Sequence, residues 1–324
     1  MAKYKDIGGT TVGFRSGAEE YTYPSGFEGS IYYNSSNGQF EFVGLGAGTW
    51  ASGGNMNTAR AEIGFAGIQT SALAFGGNTP GDQTGITEEY DGSSWSESGD
   101  LNTARREMGC AGLQTAALSF GGNTSNTATE LYNGTSWTTS PASLNSGREQ
   151  MAGFGIQTAA LCVSGNPISA IVEQWDGSSW TEITDVNTAR RLHGGCGTIT
   201  AGLIFGGQTP GDTDTGVTEL WNGSSWTEVA DLNVAAWGVR GTGTSSDSLA
   251  IGGTIPPNAY SAKTEAFDGT SWTEIADLST GRDMHGTGGP SGSIAIAFGG
   301  RTPGNTATTE EWTFSHSIKT VTTS

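Results

Sequence analysis

Tryptophan recurs along this chain with a period that a repeated sheet unit explains. Trp95, Trp137, Trp180, Trp226 and Trp272 each close an Asp/Asn-Gly-x-Ser-Trp motif, and successive ones lie 42, 43, 46 and 46 residues apart. Each unit carries the same four strand signals. A small, Gly-rich run such as IGFAGIQT reads as strand a, and an apolar run such as SALAFGG as strand b. Thr-Glu-x-aromatic gives strand c, and strand d begins at the tryptophan. Short strands repeating every ~40–50 residues indicate the blades of a β-propeller. The chain has 53 glycines and only 14% charged residues, a composition that disordered segments share. Its aromatic residues fall at regular intervals, however, and few segments hold the Leu, Glu and Lys that favour helix. The chain reads as all-β.

Double glycines end strand b at Gly76-Gly77, Gly121-Gly122, Gly206-Gly207, Gly252-Gly253 and Gly299-Gly300, while the third unit keeps only Gly165. Such pairs allow a bend or a close backbone approach. The Asp-Gly or Asn-Gly between strands c and d predicts a type I′ turn. Together, the Gly-Gly, the Glu-aromatic pair and the Gly-x-x-Trp resemble kelch repeats over residues 57–315. The sixth unit ends at TEEWTF with no tryptophan motif after it, whereas Trp50 lies 45 residues before Trp95, in phase with the repeat. The expectation is therefore a six-bladed kelch-like β-propeller over 49–315, in which residues 49–56 supply strand d of the last blade. Closure of this kind, which the resemblance also implies, pairs both open sheet edges. Residues 1–26 read as an attachment arm, 27–48 as a β-hairpin around Ser-Ser-Asn-Gly, and 316–324 as a tail.

Up-and-down strands put the a–b and c–d turns on one face and the b–c and d–a connections on the other. The first set is short and uniform; the b–c loops vary, and variable loops on a repeated scaffold are where recognition sits. Thr79, Asp82, Gln83, Asn123, Asn126, Asn166, Asp212, Asp214, Asn258, Tyr260 and Asn305 are the candidate binding residues there, a set suited to polar ligands such as glycans.

Two ionic series recur with the repeat. Arg60, Arg105, Arg148, Arg190 and Arg282 open five units, with Ala236 at that place in the fifth and Arg240 nearby. Glu88, Glu130, Glu173, Glu219, Glu265 and Glu310 lie on the c strands. A catalytic group is needed once and a structural device in every blade, so these read as structural Arg–Glu or Arg–backbone contacts. His193 and His285 share one strand-a position, lining the channel of non-neighbouring blades, and make no ligand set for a metal. The Pro-Gly-Asp loops bear no spaced oxygen ligands of the EF-hand kind. Cys110, Cys162 and Cys196 are too few and too scattered for a disulfide framework and read as small core residues. No Walker, HExxH, GxSxG or dinucleotide motif occurs. The kelch resemblance extends to a copper oxidase family, but this chain lacks the Tyr, His and Cys cluster that family uses. The expectation is no cofactor and no enzyme.

A net charge of −18 repels nucleic acid and anionic membranes. No apolar stretch reaches spanning length and no secretory h-region opens the chain. The FGGNTP-rich repeats, the N-terminal hairpin and the ending IKTVTTS resemble virion and tail-fibre proteins of tailed bacteriophages, particularly marine ones. That resemblance implies a virion surface protein assembled in the host cytoplasm, possessing no enzymatic activity. It implies attachment to other virion proteins through the N-terminal arm, recognition of a host receptor or glycan by the b–c loops, and homo-oligomerisation. A capsid or tail decoration protein and a sugar-acting propeller enzyme, a mutarotase or glycosidase, are the alternatives.

Overall fold

A computed structural model describes the backbone of residues 12–15, 31–34, 39–123 and 127–320, and the side chains of 48–123 and 127–314. Residues Trp50–Trp312 form one compact unit. It contains six antiparallel sheets, each ordered a-b-c-d from the channel outward, and they form a six-bladed β-propeller. Blade 1 comprises Gly64–Ile68, Ser71–Phe75, Thr87–Tyr90 and Trp95–Ser98. Blade 2 comprises Gly109–Leu113, Ala116–Phe120, Thr129–Tyr132 and Trp137–Thr139, and blade 3 Ala152–Ile156, Ala159–Val163, Val172–Trp175 and Trp180–Ile183. Gly194–Thr198, Ala201–Phe205, Thr218–Trp221 and Trp226–Val229 make blade 4, and Arg240–Thr244, Asp247–Ile251, Thr264–Phe267 and Trp272–Glu274 blade 5. In blade 6 the first three strands are Gly286–Ser291, Ile294–Phe298 and Thr309–Thr320. The fourth is Gln39–Ser52, arriving from the other end of the chain.

The side chains repeat with the strands, and they show that Trp50 belongs to the sixth blade. In each blade an aromatic residue on strand c packs on the tryptophan opening strand d, with ring centres 4.9–5.3 Å apart in blades 1 to 5. The sixth such pair is Trp312 with Trp50, at 5.5 Å. Each of these tryptophans also donates its indole N–H to the preceding blade. Trp95 reaches Thr309, Trp137 reaches Thr87, Trp180 reaches Thr129 and Trp272 reaches Thr218, all at 2.9–3.1 Å. Trp50 reaches Thr264 of blade 5 at 3.1 Å. Blade 3 has Val172 where the others have threonine, so Trp226 donates to the Thr184 carbonyl instead.

The Gly-Gly corners join neighbouring blades. Gly76 and Gly77 adopt φ of +61° and +104°, and a Cβ at Gly76 would lie 2.6 Å from the Arg105 carbonyl of blade 2. That carbonyl accepts the Gly77 amide at 2.9 Å. The contact recurs around the ring and ends with the Gly300 amide of blade 6 on the Arg60 carbonyl of blade 1, at 2.9 Å. In blade 3 the first glycine is replaced by Ser164, which takes φ +56°.

The c–d connection differs from the two-residue turn expected. Tyr90 pairs directly with Trp95, leaving a four-residue loop, and of Asp91–Ser94 only Gly92 has positive φ. The Asp91 carboxylate accepts the amides of Ser93 and Ser94, each at 2.8 Å. Side-chain acceptance of this kind closes an Asx turn, and the Ser93 hydroxyl, with these amides, holds the Asp91 pKa down to about 2. The Asp or Asn side chain, accepting these amides, thus decides the geometry.

Residues Met1–Thr49 and Thr313–Ser324 form a second compact unit. Within it Val12–Arg15 pairs in parallel with Ile31–Asn34, Val12 opposite Ile31. Ile31–Asn34 pairs antiparallel with the start of Gln39–Ser52, Ile31 opposite Phe42. The strand begun at Thr309 continues to Thr320, through part of the stretch that reads as a tail.

Candidate functional site

The recurring ions are structural and buried. Arg60–Glu88, Arg105–Glu130, Arg148–Glu173, Arg190–Glu219 and Arg282–Glu310 are ion pairs at 2.5–2.8 Å, all with side chains no more than 3% exposed. Each glutamate also accepts backbone amides of the d–a loop, as Glu88 does from Asn57 at 2.6 Å. In blade 5, where Ala236 replaces the arginine, Glu265 is held by Asn233 and the Val234 amide. Arg240 does not substitute there; it lies inside the ring beside Met284 and His285.

The residue that precedes strand a by two turns left-handed in every blade. Glu62, Glu107, Gln150, Leu192, Gly238 and Met284 have φ between +53° and +63°. Each donates its amide to the same residue of the preceding blade: Glu107 to Glu62, Gln150 to Glu107, Leu192 to Gln150, Gly238 to Leu192, and Met284 to Gly238. The Glu62 amide on the Met284 carbonyl, at 2.8 Å, completes a closed circuit of six bonds of 2.7–3.1 Å. This annulus forms the mouth of the central channel on the face that carries the b–c loops.

The side chains on this annulus do not repeat. Glu62, Glu107 and Gln150 occupy one arc, and across the ring from them stand Leu192, Gly238 and Met284. Outside the acidic arc, Glu62 pairs with Arg106 at 2.9 Å and Arg301 at 3.4 Å, and Arg301 also grips Asp283 through two bonds of 3.0 Å. Thr254 donates to the same aspartate at 2.8 Å. Glu107 accepts the Gln150 amide at 2.9 Å. Burial, with Glu62 and Glu149 nearby, pushes the Glu107 pKa above the ordinary carboxylate value. Arg191 bonds Asp212 at 2.8 Å. In blade 5 the corresponding place holds the half-buried Trp237, its ring 6.0 Å from the Arg301 guanidinium. Gln150 Oε1, Arg191 Nε and Trp237 Nε1 are buried polar atoms without a protein partner, gathered on this rim. Such atoms are uncommon enough to call for an explanation. Leu192 and Met284 are buried, so the groups this rim offers are the partly exposed Glu107 and Gln150 and the Trp237 ring, a set that suits a small ligand having both hydroxyls and an apolar face.

The sequence-derived candidates divide. Asn123 accepts the Arg106 amide at 3.3 Å, Asn166 donates to Glu149 at 3.1 Å, Asp212 pairs with Arg191, and Asn305 donates to the Asn78 carbonyl at 2.7 Å. These four brace the rim. Thr79, Asp82 and Gln83 bond among themselves, and Asp214 accepts from Gln208 in the two-stranded pairing of Gln208–Thr209 with Thr213–Asp214. Asn258 and Tyr260 belong to the hairpin formed by Thr254–Ile255 and Ala259–Tyr260, with Tyr260 40% exposed. Asn126 lies outside the described residues. The rim's Glu62, Arg106, Glu107, Gln150, Trp237 and Asp283 escape sequence reasoning, because their common feature is a backbone position, and Arg301 joins them from behind the Gly299-Gly300 corner. The signal that could have found them is variation at a fixed offset from the repeated arginine.

His193 and His285 lie between blades and not along the channel: the His285 ring reaches within 2.9 Å of where a Cβ on Gly252 of blade 5 would stand. Both are at most 1% exposed, and burial lowers their pKa well below 6.5. Among the described residues no group of three His, Cys, Asp or Glu could hold a metal ion. The three free cysteines are buried, which pushes Cys110 and Cys162 up to about 11 and Cys196 up to about 12. No helix among the described residues is long and apolar enough to cross a membrane. No family model matches the chain, and no curated protein matches it.

Proposed function

We propose that this protein is a non-enzymatic recognition module of the kelch type, binding a neutral, saccharide-like ligand at the loop-face mouth of its channel. The observation that carries this reading is where the repeat breaks down. Ion pairs, aromatic pairs and glycine corners recur from blade to blade, whereas the annulus and its rim differ in each. Hydroxyls find acceptors and donors on the partly exposed Glu107, Gln150 and Arg106, and an apolar ring face finds Trp237. The acidic rim and the overall charge of −18 disfavour an anionic ligand at the mouth. On the resemblance of the loops and chain ends to tailed-phage virion proteins, we place the module on a tail fibre or similar appendage, where the ligand is a host-surface glycan.

The test is binding of the full chain to a glycan array and to candidate host cells. Trp237→Ala and Gln150→Ala are expected to abolish binding, while Thr115→Ala on the opposite face leaves it unchanged. Equal loss from all three, or binding untouched by the first two, refutes the mouth as the site. Chemical turnover of a bound glycan would replace the binding reading with the sugar-acting enzyme. Cryo-electron microscopy of an intact particle tests the appendage assignment separately: a capsid-wide copy number would favour decoration.

A further inference from the structure

One side chain inside the ring has no counterpart in the other blades. Strand a opens with glycine in four blades, and a Cβ there would fall 2.1–2.4 Å from the phenylalanine ending strand b. Blade 5 departs at both places together: Arg240 stands at the first and Ile251 at the second, and the two are register partners. The smaller Ile251 admits a long side chain where Phe75, Phe120, Phe205 or Phe298 would block it.

The Arg240 side chain reaches across to blades 6 and 1. Nε donates to the His285 carbonyl at 3.1 Å, Nη2 touches Met284 Sδ at 3.6 Å, and the guanidinium carbon lies 6.0 Å from the centre of the Phe65 ring. Nη1 donates to no described residue, and no described carboxylate lies within ion-pair distance. Asp283, Glu107 and Glu62 attract it from beyond ion-pair distance, and each has a nearer partner, in Arg301, Gln150 and Arg106 respectively. A guanidinium keeps its charge in a protein, and that of Arg240 is partly exposed, with its free edge turned to the space beside it. Beside it lies a cavity of about 10 Å³, walled by Met108, Met151, His193 and backbone of the a strands. That is room for one water-sized body.

We infer that this cavity is a binding site for a single halide-sized monovalent anion, which neutralises Arg240 from inside the ring. The unpaired guanidinium edge supplies the charge, and the methionine walls favour a weakly hydrated ion. The inference does not depend on the ligand proposed for the mouth.

Two measurements on the full chain test it. Thermal unfolding is followed in sodium chloride or bromide against sodium gluconate at matched ionic strength. The wild type is expected to gain a saturable Tm increase of about 2 °C or more with halide, and Arg240→Met to lose it. Bromide anomalous scattering from wild-type crystals is expected to show a peak against the free edge of the Arg240 guanidinium, a result that does not require any variant to fold. A halide-independent Tm in the wild type, a halide effect surviving in Arg240→Met, or no bromide peak beside Arg240 overturns the inference.

Discussion

The two interblade histidines make stability depend on pH in a calculable way. His193 is 1% exposed and His285 not at all, and no ring nitrogen of either has a protein partner. Burial is the largest cause of their lowered pKa, and Arg190, Arg282 and Arg240 add repulsion of the protonated form. Both therefore stay neutral in the fold, whereas in the unfolded chain they protonate near pH 6.5. Below that value the unfolded state binds two protons that the native state refuses, so stability falls as pH falls. Each histidine contributes RT ln(1 + 10^(6.5−pH)), which for the pair amounts to about 4 kcal/mol lost between pH 7.5 and pH 5.0. The comparison is His193→Met with His285→Val, residues that other blades carry at this place as Met108, Met151 and Val239. Urea unfolding at both pH values, followed by tryptophan fluorescence, gives the two stabilities. The wild type is expected to lose about 4 kcal/mol more than the double variant over this interval. Equal losses would refute neutral burial of these rings.

Other consequences concern single groups. Glu219→Gln leaves Arg190 buried without its carboxylate and is expected to cost ~3–5 kcal/mol by urea unfolding; Glu265→Gln, which faces no guanidinium, is expected to cost about 1 kcal/mol, and equal costs would contradict the pairing scheme. The cysteines, with thiols held at about 11 to 12 by burial, are expected to ignore Ellman's reagent at pH 8 until urea is added; rapid labelling of the native protein would contradict that. Tyr90 and Tyr132 donate their hydroxyls to Glu311 and Glu89 of the preceding blade, and burial and these carboxylates hold both near 12. Absorbance at 295 nm is expected to show two tyrosines ionising about two pH units after the exposed ones, and Tyr90→Phe to remove one of them.

The architecture was legible because its signals are compositional. Trp50 falls in phase with five other tryptophans, and the sixth blade lacks that one residue, so the ring and its closure follow from spacing alone. The c–d turn was misread because Asp-Gly signals a type I′ turn, while the Asp91 carboxylate accepts the amides two and three residues on and folds a longer loop. The loop face was visible as variation, but not how its loops fold back: Asp214 is consumed by Gln208 and Asn305 by Asn78. The annulus was hidden more deeply. Glu62, Leu192 and Gly238 share no side-chain chemistry, only a left-handed φ that no composition announces. Arg240 was drawn into the wrong series by its proximity to Ala236; the exchange of phenylalanine for Ile251 one strand away was the sign that it belongs inside the ring.

The proposed binding mouth exists only if the first and last blades meet. Among the six annulus bonds, that junction is the Glu62 amide on the Met284 carbonyl. Native-state hydrogen exchange of the Glu62 amide, compared with the equivalent Gln150 amide between blades 2 and 3, measures the junction directly. Comparable protection is expected for the two, each opening only with the sheets around it. A Gln150 amide that is protected while the Glu62 amide exchanges at the rate of an open chain would show that the circle is broken there.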